Sequence, residues 1–199
     1  MITEGEKTEK QAFDINQPGL LIHGAKPYDL DRILIQGLKP RNSQDRIRED
    51  GFTVVPDYIS LSMVGAGISP SKAVATFMYG ASDDTFNRNI TLIIDPEYVK
   101  SHANDFKAVG SSFSPDNHGR DLYCDSDDQI YNGIEYEEVE TNHYGQVFAD
   151  EVLTRFIPPE AIIGIVTRAK HFSFLKEDLK RIAPERKILI FDTNGNLLD

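Results

Sequence analysis

The stretch PGLLIHGAKPYDLDRILIQGLKP, residues 18–40, lies near the start of the chain. Residues 19–23 form a short apolar run, which predicts a buried strand that ends at His23. Apolar side chains then recur at helical spacing over residues 30–34, and Gly37 is the kind of residue that commonly ends a helix. The stretch therefore predicts a strand, a turn and a helix in succession.

His23 has two interpretations at this point. A histidine at the end of an apolar strand is commonly a polar residue that reaches solvent. It is also suited to reading a ligand where a strand end opens on a cleft. The stretch alone leaves both interpretations open, so the decision depends on the rest of the chain.

The remainder of the chain predicts several short strands and few helices. The predicted strands lie in YISLS (58–62), NITLIIDPEYV (89–99), twice in ADEVLTRFIPPEAIIGIVTR (149–168), and in KILIFDTNGNLLD (187–199), where an Asn-Gly turn folds the chain back. The predicted helices are SPSKAVATFMYG (69–80) and SFLKEDLKRI (173–182). Residues 110–146 have weak periodicity and predict a long irregular excursion. This mixture favours an α+β class over a doubly wound parallel sheet.

Length and charge limit the classes of protein. The 199 residues suit one domain, which we expect at residues 18–199 after a flexible N-terminal tail at residues 1–17. A net charge of −11 disfavours nucleic acid as a partner, because phosphates are bound by Lys and Arg. A single small anion can still bind through local amides and one or two arginines.

Cysteine usage and the N-terminal residues bear on location. Cys124 is the only cysteine, so no intramolecular disulfide forms and the chain suits a reducing compartment. The first residues lack the apolar segment of an ordinary secretory signal, and no apolar run approaches the roughly 20 residues that a membrane helix needs. We expect a protein of the cytoplasm, or one delivered into the cytoplasm of another cell, with no membrane contact.

Common nucleotide and metal motifs are absent from the sequence. Neither G-x-x-x-x-G-K-[ST] nor G-x-G-x-x-G nor G-x-S-x-G occurs. The five histidines never form H-x-x-x-H or pair with the cysteine, so we expect no metal site. DNHGRDLYCDSDD (116–128) lacks the residue order of a calcium loop.

Three separated motifs remain. The first is the strand ending in His23-Gly24, with a helix that closes on a Gly-Leu pair. The second is the strand YISLS followed by SKAVATF (71–77), a helix with Ala and an aromatic residue. The third is EVLTRFIPPEAIIGIV (151–166), in which a Glu opens a strand that is followed by an Ile-Pro-Pro turn and a further apolar strand. Their joint order resembles the motifs of the ADP-ribosyltransferase superfamily.

The resemblance implies a fold and an activity. The fold would hold two small, mostly antiparallel sheets with a few flanking helices, and NAD would bind as a substrate in the cleft between the sheets. The activity would be mono-ADP-ribosylation of a protein, as in bacterial effectors and toxins. The reaction cleaves the nicotinamide–ribose bond through an oxocarbenium-like state, which a nearby carboxylate stabilises.

The resemblance also implies a role for each matching residue. Glu151 would bind the 2'-hydroxyl of the nicotinamide ribose and stabilise positive charge. His23 would bind the ribose hydroxyl on the adenosine side, and the Gly24 backbone would hold the nicotinamide amide. Phe77 is expected to stack on nicotinamide. Arg41, after the first helix, either reaches the pyrophosphate or serves solubility.

The middle motif leaves the register open between Tyr58 and Ser60, because the family uses either residue type there. We favour Ser60 and keep Tyr58 as the stacking alternative, with Ser62 on the same strand face toward NAD. The sequence departs from the toxin-like branch, which has Arg in place of His23 and a Glu or Gln in place of Ala149. Because of these departures, the sequence gives no support for arginine as the acceptor residue of the modified protein.

An acidic segment precedes the third motif. Residues 121–140 hold eight Asp or Glu residues, no Lys or Arg, and three tyrosines. One interpretation is a loop that presents acids and tyrosines to a basic protein acceptor. The other is a solvated loop whose charges repel one another.

Other functions stay open on the sequence. Within the same fold, the chain is either a transferase, an NAD glycohydrolase, or an enzyme that modifies nucleic acid, such as a DNA ADP-ribosyltransferase or an RNA 2'-phosphotransferase. The net charge counts against the last of these. From a different class, a catalytically degenerate member would serve as a binding or regulatory module.

Overall fold

The computed structural model describes residues 14, 15, 17, 19–40, 58–64, 90–111, 134–139 and 151–198. The strands are β1 (Leu21–Ala25), β2 (Ile59–Met63), β3 (Ile90–Ile94), β4 (Phe106–Ser111), β5 (Glu135–Val139), β6 (Glu151–Thr154), β7 (Ile162–Val166), β8 (Leu189–Phe191) and β9 (Leu197–Leu198). The α-helices in these ranges are α1 (Leu30–Gln36), α2 (Pro96–Ser101) and α3 (Phe172–Ile182). Single 3-10 turns lie at Pro27–Asp29, Ala103–Asp105, Pro159–Ala161 and Ala169–His171. This mixture confirms the α+β class.

The described strands form one mixed sheet, in the order β5-β4-β6-β2-β1-β3-β7-β8-β9. Neighbouring strands are antiparallel except in the pairs β4–β5 and β7–β8. The prediction of two separate sheets is therefore wrong for this part of the chain. The reason is that β1 pairs with β2 on one side and with β3 on the other, so it joins the two halves.

The β1–β2 ladder is short and stops part of the way along β1. Only Leu21 and Ile22 pair with β2, whereas pairing with β3 continues from Ile22 to Ala25. Just before β1 and just after β2, Leu20 and Val64 are also joined: the Val64 N–H donates to the Leu20 carbonyl at 2.8 Å. Backbone pairing therefore closes the sheet up to Ile22 and ends there. We call the junction beyond this ladder, between residues 23–25 of β1 and 59–61 of β2, the β1–β2 split.

Two hydrophobic clusters cover the two faces of the sheet. The larger contains Leu21 and Leu92 together with the buried residues of α1 and α3. The smaller contains Ile22, Ile93 and Ile15. Successive residues of β1 thus belong to different clusters, because side chains alternate between the faces of a strand. All five residues of β3 are buried, as expected for its continuous apolar run.

Helix α1 confirms the interpretation of the opening stretch. Its buried residues are Leu30, Ile33 and Leu34, and its C-terminal cap is Gly37 at a φ of 80°. A Cβ at Gly37 would lie 2.4 Å from the Ile157 carbonyl oxygen and 2.7 Å from the Phe156 ring. The next residue, Leu38, exchanges two backbone hydrogen bonds with Ile157, of 2.8 and 3.2 Å. The Gly-Leu pair of the first motif therefore holds the Ile-Pro-Pro turn of the third.

Several other sequence predictions are confirmed. YISLS includes all of β2 except its last residue, NITLIIDPEYV contains β3, the third motif gives β6 and β7 around a 3-10 turn, and SFLKEDLKRI lies within α3. KILIF contains β8, and the chain folds back to β9. The predicted helix at 69–80 lies outside the described residues. Within the described ranges, no helix is long and apolar enough to cross a membrane.

Two sequence predictions are wrong: the position at which β1 ends and the absence of a strand before the third motif. Strand β1 continues to Ala25, so His23 lies within the strand and not at its end. Strand β5 lies inside the stretch that was expected to be irregular, and it pairs in parallel with β4. Its sequence EYEEV has three acids in five residues, and acids are depleted from strands, so periodicity and propensity both missed it.

The β8–β9 hairpin is held by Asp192. Its carboxylate accepts hydrogen bonds from the Asn194 and Asn196 backbone at 2.8 and 2.9 Å, and from the Asn196 side chain at 2.8 Å. Burial alone would raise the pKa of Asp192, but these hydrogen bonds outweigh it and hold the pKa below its ordinary value. The turn therefore prefers the ionised carboxylate.

Replacing Gly37 with Ala should lower the free energy of unfolding by about 3 kcal/mol, because a Cβ there meets backbone in a left-handed conformation. Chemical denaturation measures this. The matched control is Gly164→Ala, where the new Cβ would lie 3.0 Å from the flexible end of Ile93 and should cost about 1 kcal/mol or less. Equal losses in the two variants would contradict the assigned role of Gly37.

Replacing Asp192 with Asn should destabilise the protein at neutral pH and much less in acid. A lowered folded-state pKa gives stability that is present above the unfolded pKa, about 3.9, and is lost as the pH falls through the folded value. Denaturant unfolding of both proteins at about pH 7 and about pH 3 measures the gap. A gap of the same size at both pH values would show that the charge of Asp192 does not matter.

Candidate functional site at the β1–β2 split

The three sequence motifs meet on neighbouring strands. His23 and Gly24 lie on β1, Ser60 and Ser62 on β2, and Glu151 opens β6. These strands stand side by side in the order β6-β2-β1. The fold therefore brings together segments that are far apart in the chain.

The register fixes the backbone position of Glu151. It stands opposite Ser62 on β2 and opposite Val109 on β4. Ser62 also pairs with Ile22, the last residue of the β1–β2 ladder. Two strand spacings, about 10 Å, therefore separate Glu151 from the residue that precedes His23. Glu151 lies beside the closed end of the split.

His23 crosses the split through its side chain. Its Nδ1 lies 2.8 Å from the backbone carbonyl oxygen of Ser60. Because a carbonyl oxygen only accepts, Nδ1 carries the proton and Nε2 is the acceptor nitrogen of the neutral ring. The half-buried ring thus adds a hydrogen bond between β1 and β2 where their backbone ladder has ended.

Strand β2 has the predicted alternation. Ile59, Leu61 and Met63 are buried, whereas Ser60 and Ser62 are half-buried. The two serines therefore share the opposite face of the strand from the buried residues, where hydroxyl groups can meet a polar ligand.

Tyr58 precedes β2 and already has a partner. The Arg155 guanidinium carbon lies 5.3 Å from the Tyr58 ring centroid, and Arg155 Nη2 lies 3.5 Å from the Tyr58 hydroxyl. This cation–π contact uses a face of the ring. The stacking alternative for Tyr58 therefore competes with an existing contact on that face of the ring.

Gly24 occupies the split on β1. It pairs with Thr91 on β3 and has no backbone pairing with β2. Thr91 is buried and Gly24 is half-buried. A ligand that entered the split would meet a backbone position with no side chain in its way.

Several predicted residues lie outside the described part of the chain. These are Phe77 and Arg41, together with residues 121–133 and 140 of the acidic segment. The part of the acidic segment that is described includes β5, which is two strands from β6 through β4.

Sequence reasoning missed Arg155. The register pairs Ser62 with Glu151 and Ser60 with Leu153, so its continuation sets Tyr58 opposite Arg155. A period of two from Glu151 reaches Arg155, which is the signal that could have found it. The exposed guanidinium places a positive charge at the far end of β6 from Glu151.

The described residues offer no metal centre. No group of three or more His, Cys, Asp or Glu side chains within the described ranges could hold an ion.

Neither the protein-family models nor the curated proteins give a match to this chain.

The neutral ring of His23 should carry its proton on Nδ1, which is the less common tautomer of free histidine. Long-range ¹H–¹⁵N correlation spectra at about pH 8 report the protonated nitrogen. His23→Gln identifies the signals, and Ser60→Ala should leave the tautomer unchanged because the acceptor belongs to the backbone. A proton on Nε2 would exclude the hydrogen bond across the split.

Proposed function

We propose that the protein is an NAD-dependent mono-ADP-ribosyltransferase that modifies a protein, with Glu151 as its catalytic carboxylate. One observation carries the proposal. The strands of the three motifs are neighbours in the sheet, with His23 bonded to Ser60 across the split and Glu151 in register with Ser62. In this proposal the β1–β2 split is the NAD cleft of an ADP-ribosyltransferase-like fold.

The chemistry asks for a carboxylate beside the reacting ribose. The bond between C1' of the ribose and the nicotinamide nitrogen breaks, and its electron pair stays with nicotinamide. A lone pair of the acceptor forms the new bond to C1', and the proton of the acceptor is released. Positive charge develops on the ribose between these events, and the Glu151 carboxylate stabilises it while binding the 2'-hydroxyl.

The polar groups on β1 and β2 would orient NAD. Because His23 donates from Nδ1 to the Ser60 carbonyl, its neutral ring accepts at Nε2, which suits a ribose hydroxyl on the adenosine side. The Gly24 backbone would hold the nicotinamide amide, and the Ser60 and Ser62 hydroxyls would face the substrate. These roles divide into binding by β1 and stabilisation of the transition state by Glu151.

The same site supports hydrolysis if water takes the place of the protein acceptor. A nucleic acid acceptor is disfavoured by the net charge of −11. A module that lost catalysis would keep the fold without turnover. The products formed from NAD separate these outcomes.

Replacing Glu151 with Gln should lower kcat for nicotinamide release by about 100-fold while changing KM for NAD little, because the carboxylate acts mainly on the transition state.

Replacing His23 with Ala should instead raise KM for NAD by about tenfold, since it removes a contact made before the reaction. Full-length protein incubated with labelled NAD and a cell lysate reports both nicotinamide release and label on protein.

Glu97→Gln is the matched control, because Glu97 is an exposed glutamate on α2. It should leave both constants unchanged. Release that is unaltered in Glu151→Gln would exclude Glu151 as the catalytic carboxylate. Nicotinamide release without labelled protein would identify a hydrolase, and absence of NAD binding would favour the binding module.

A further inference from the structure

A groove of about 340 Å³ lies at the far edge of the sheet from the split. It is formed by α3, the loop after it, and strands β8 and β9. In the described sheet β9 is four positions from β1, about 19 Å at the usual strand spacing. The groove, which we call the α3–β9 groove, is therefore separate from the candidate active site.

The floor of the α3–β9 groove is apolar. Leu179 on α3 and Ala183 just after it are buried, Ile188 and Leu198 are half-buried, and Leu197 is 50% exposed. These residues form a surface on which an apolar side chain of a ligand would lose contact with water.

The rim of the α3–β9 groove is positively charged. Lys176, Lys180 and Lys187 line it, and the described residues that line the groove include no Asp or Glu. The chain as a whole has 32 acidic against 21 basic residues, so this local balance is the reverse of the average. None of the three lysines forms a salt bridge with another described residue. Their charges are therefore available to an external anion.

Arg186 ties the groove to the body of the protein. Its Nη2 donates to the carbonyl oxygens of Pro159 and of Ile162, the latter at 2.7 Å. Its Nη1 is buried without a hydrogen-bond partner among the described residues. The Glu160 carboxylate is near enough to act on the guanidinium electrostatically. Arg186 thus fixes the base of the groove through these hydrogen bonds, whereas the three lysines supply its exposed positive charge.

Strand β9 adds backbone groups to the groove. It pairs with β8 through two residue pairs and is the last strand of the described sheet. An edge strand presents N–H and C=O groups to which an extended peptide can add. An extended acidic peptide could use these groups together with the lysines.

We propose that the α3–β9 groove binds an acidic peptide segment of a partner protein. An apolar side chain of the peptide packs on the Leu179, Ala183 and Leu197 surface, and flanking Asp or Glu side chains pair with Lys176, Lys180 and Lys187. The apolar floor distinguishes this ligand from a free small anion, which needs only the charges. A single strand of nucleic acid prefers a row of exposed stacking faces, whereas the aromatic residue here, Phe172, has Lys176 lying 5.0 Å over its ring.

The experiment uses full-length protein and a fluorescein-labelled peptide of sequence GDELDFEDLG, read by fluorescence anisotropy. Binding should saturate below about 1 mM and weaken as salt is raised, since the lysine pairs are exposed. A peptide with every acid replaced by its amide should bind at least about tenfold more weakly. A peptide with Phe and Leu replaced by Ser should lose affinity as well, because it no longer buries apolar surface.

The triple variant Lys176→Gln, Lys180→Gln, Lys187→Gln should weaken binding by about tenfold or more. The matched control replaces Lys39, Lys100 and Lys107, which are exposed and outside the groove, with Gln, so the net charge changes equally. Circular dichroism checks that both variants fold. Leu197→Ser should also weaken peptide binding, because it removes part of the apolar floor. Equal losses in the two triple variants, equal affinity for the neutral peptide, or stronger binding of oligothymidylate or dodecanoate than of the peptide would each overturn the proposal. None of these measurements uses NAD, so their outcome is independent of the proposed enzyme activity.

Discussion

The pairing of β1 with both of its neighbours positions the other strands of the sheet. On one side β1 makes a ladder with β3 that runs to Ala25, and on the other its ladder with β2 stops at Ile22. The same strand therefore joins two halves of a sheet, and its ladder with one half is shorter than its ladder with the other. His23 lies at the first position beyond the β1–β2 ladder, and its imidazole bonds to the Ser60 carbonyl. The candidate site follows from where the backbone ladder ends.

The contact between Gly37 and Ile157 makes the site a property of the whole chain. Leu38 pairs with Ile157 just after α1, and Gly37 leaves room for the Ile157 carbonyl. The turn that follows β6 is thus held by the helix that follows β1. Since β6 opens with Glu151, the segment that bears the carboxylate is anchored at both ends, through its ladder with β2 and through this contact. The missing side chain of Gly37 therefore helps to fix the third motif against the first.

The sequence predicted the parts of the fold that local patterns encode. The helical spacing before Gly37 gave α1, and the alternation of YISLS gave β2 with Ser60 and Ser62 on one face. The features that the sequence did not predict depend on pairing between distant segments. The single sheet, the end of the β1–β2 ladder and the contact of Arg155 with Tyr58 are set by register, which one strand alone does not specify. Strand β5 was missed because its acidic sequence has low strand propensity, and pairing with β4 overrides it.

Binding of NAD at the proposed site, the β1–β2 split, can be followed by backbone amide NMR. Full-length, ¹⁵N-labelled protein is titrated with NAD while the amides of β1, β2 and β6 are compared with those of β8 and β9. Binding at the split should give saturable shifts at His23, Gly24 and Ser60 and leave the amides of β8 and β9 unchanged. Saturable shifts confined to other parts of the sheet, or no shift at saturating NAD, would contradict it.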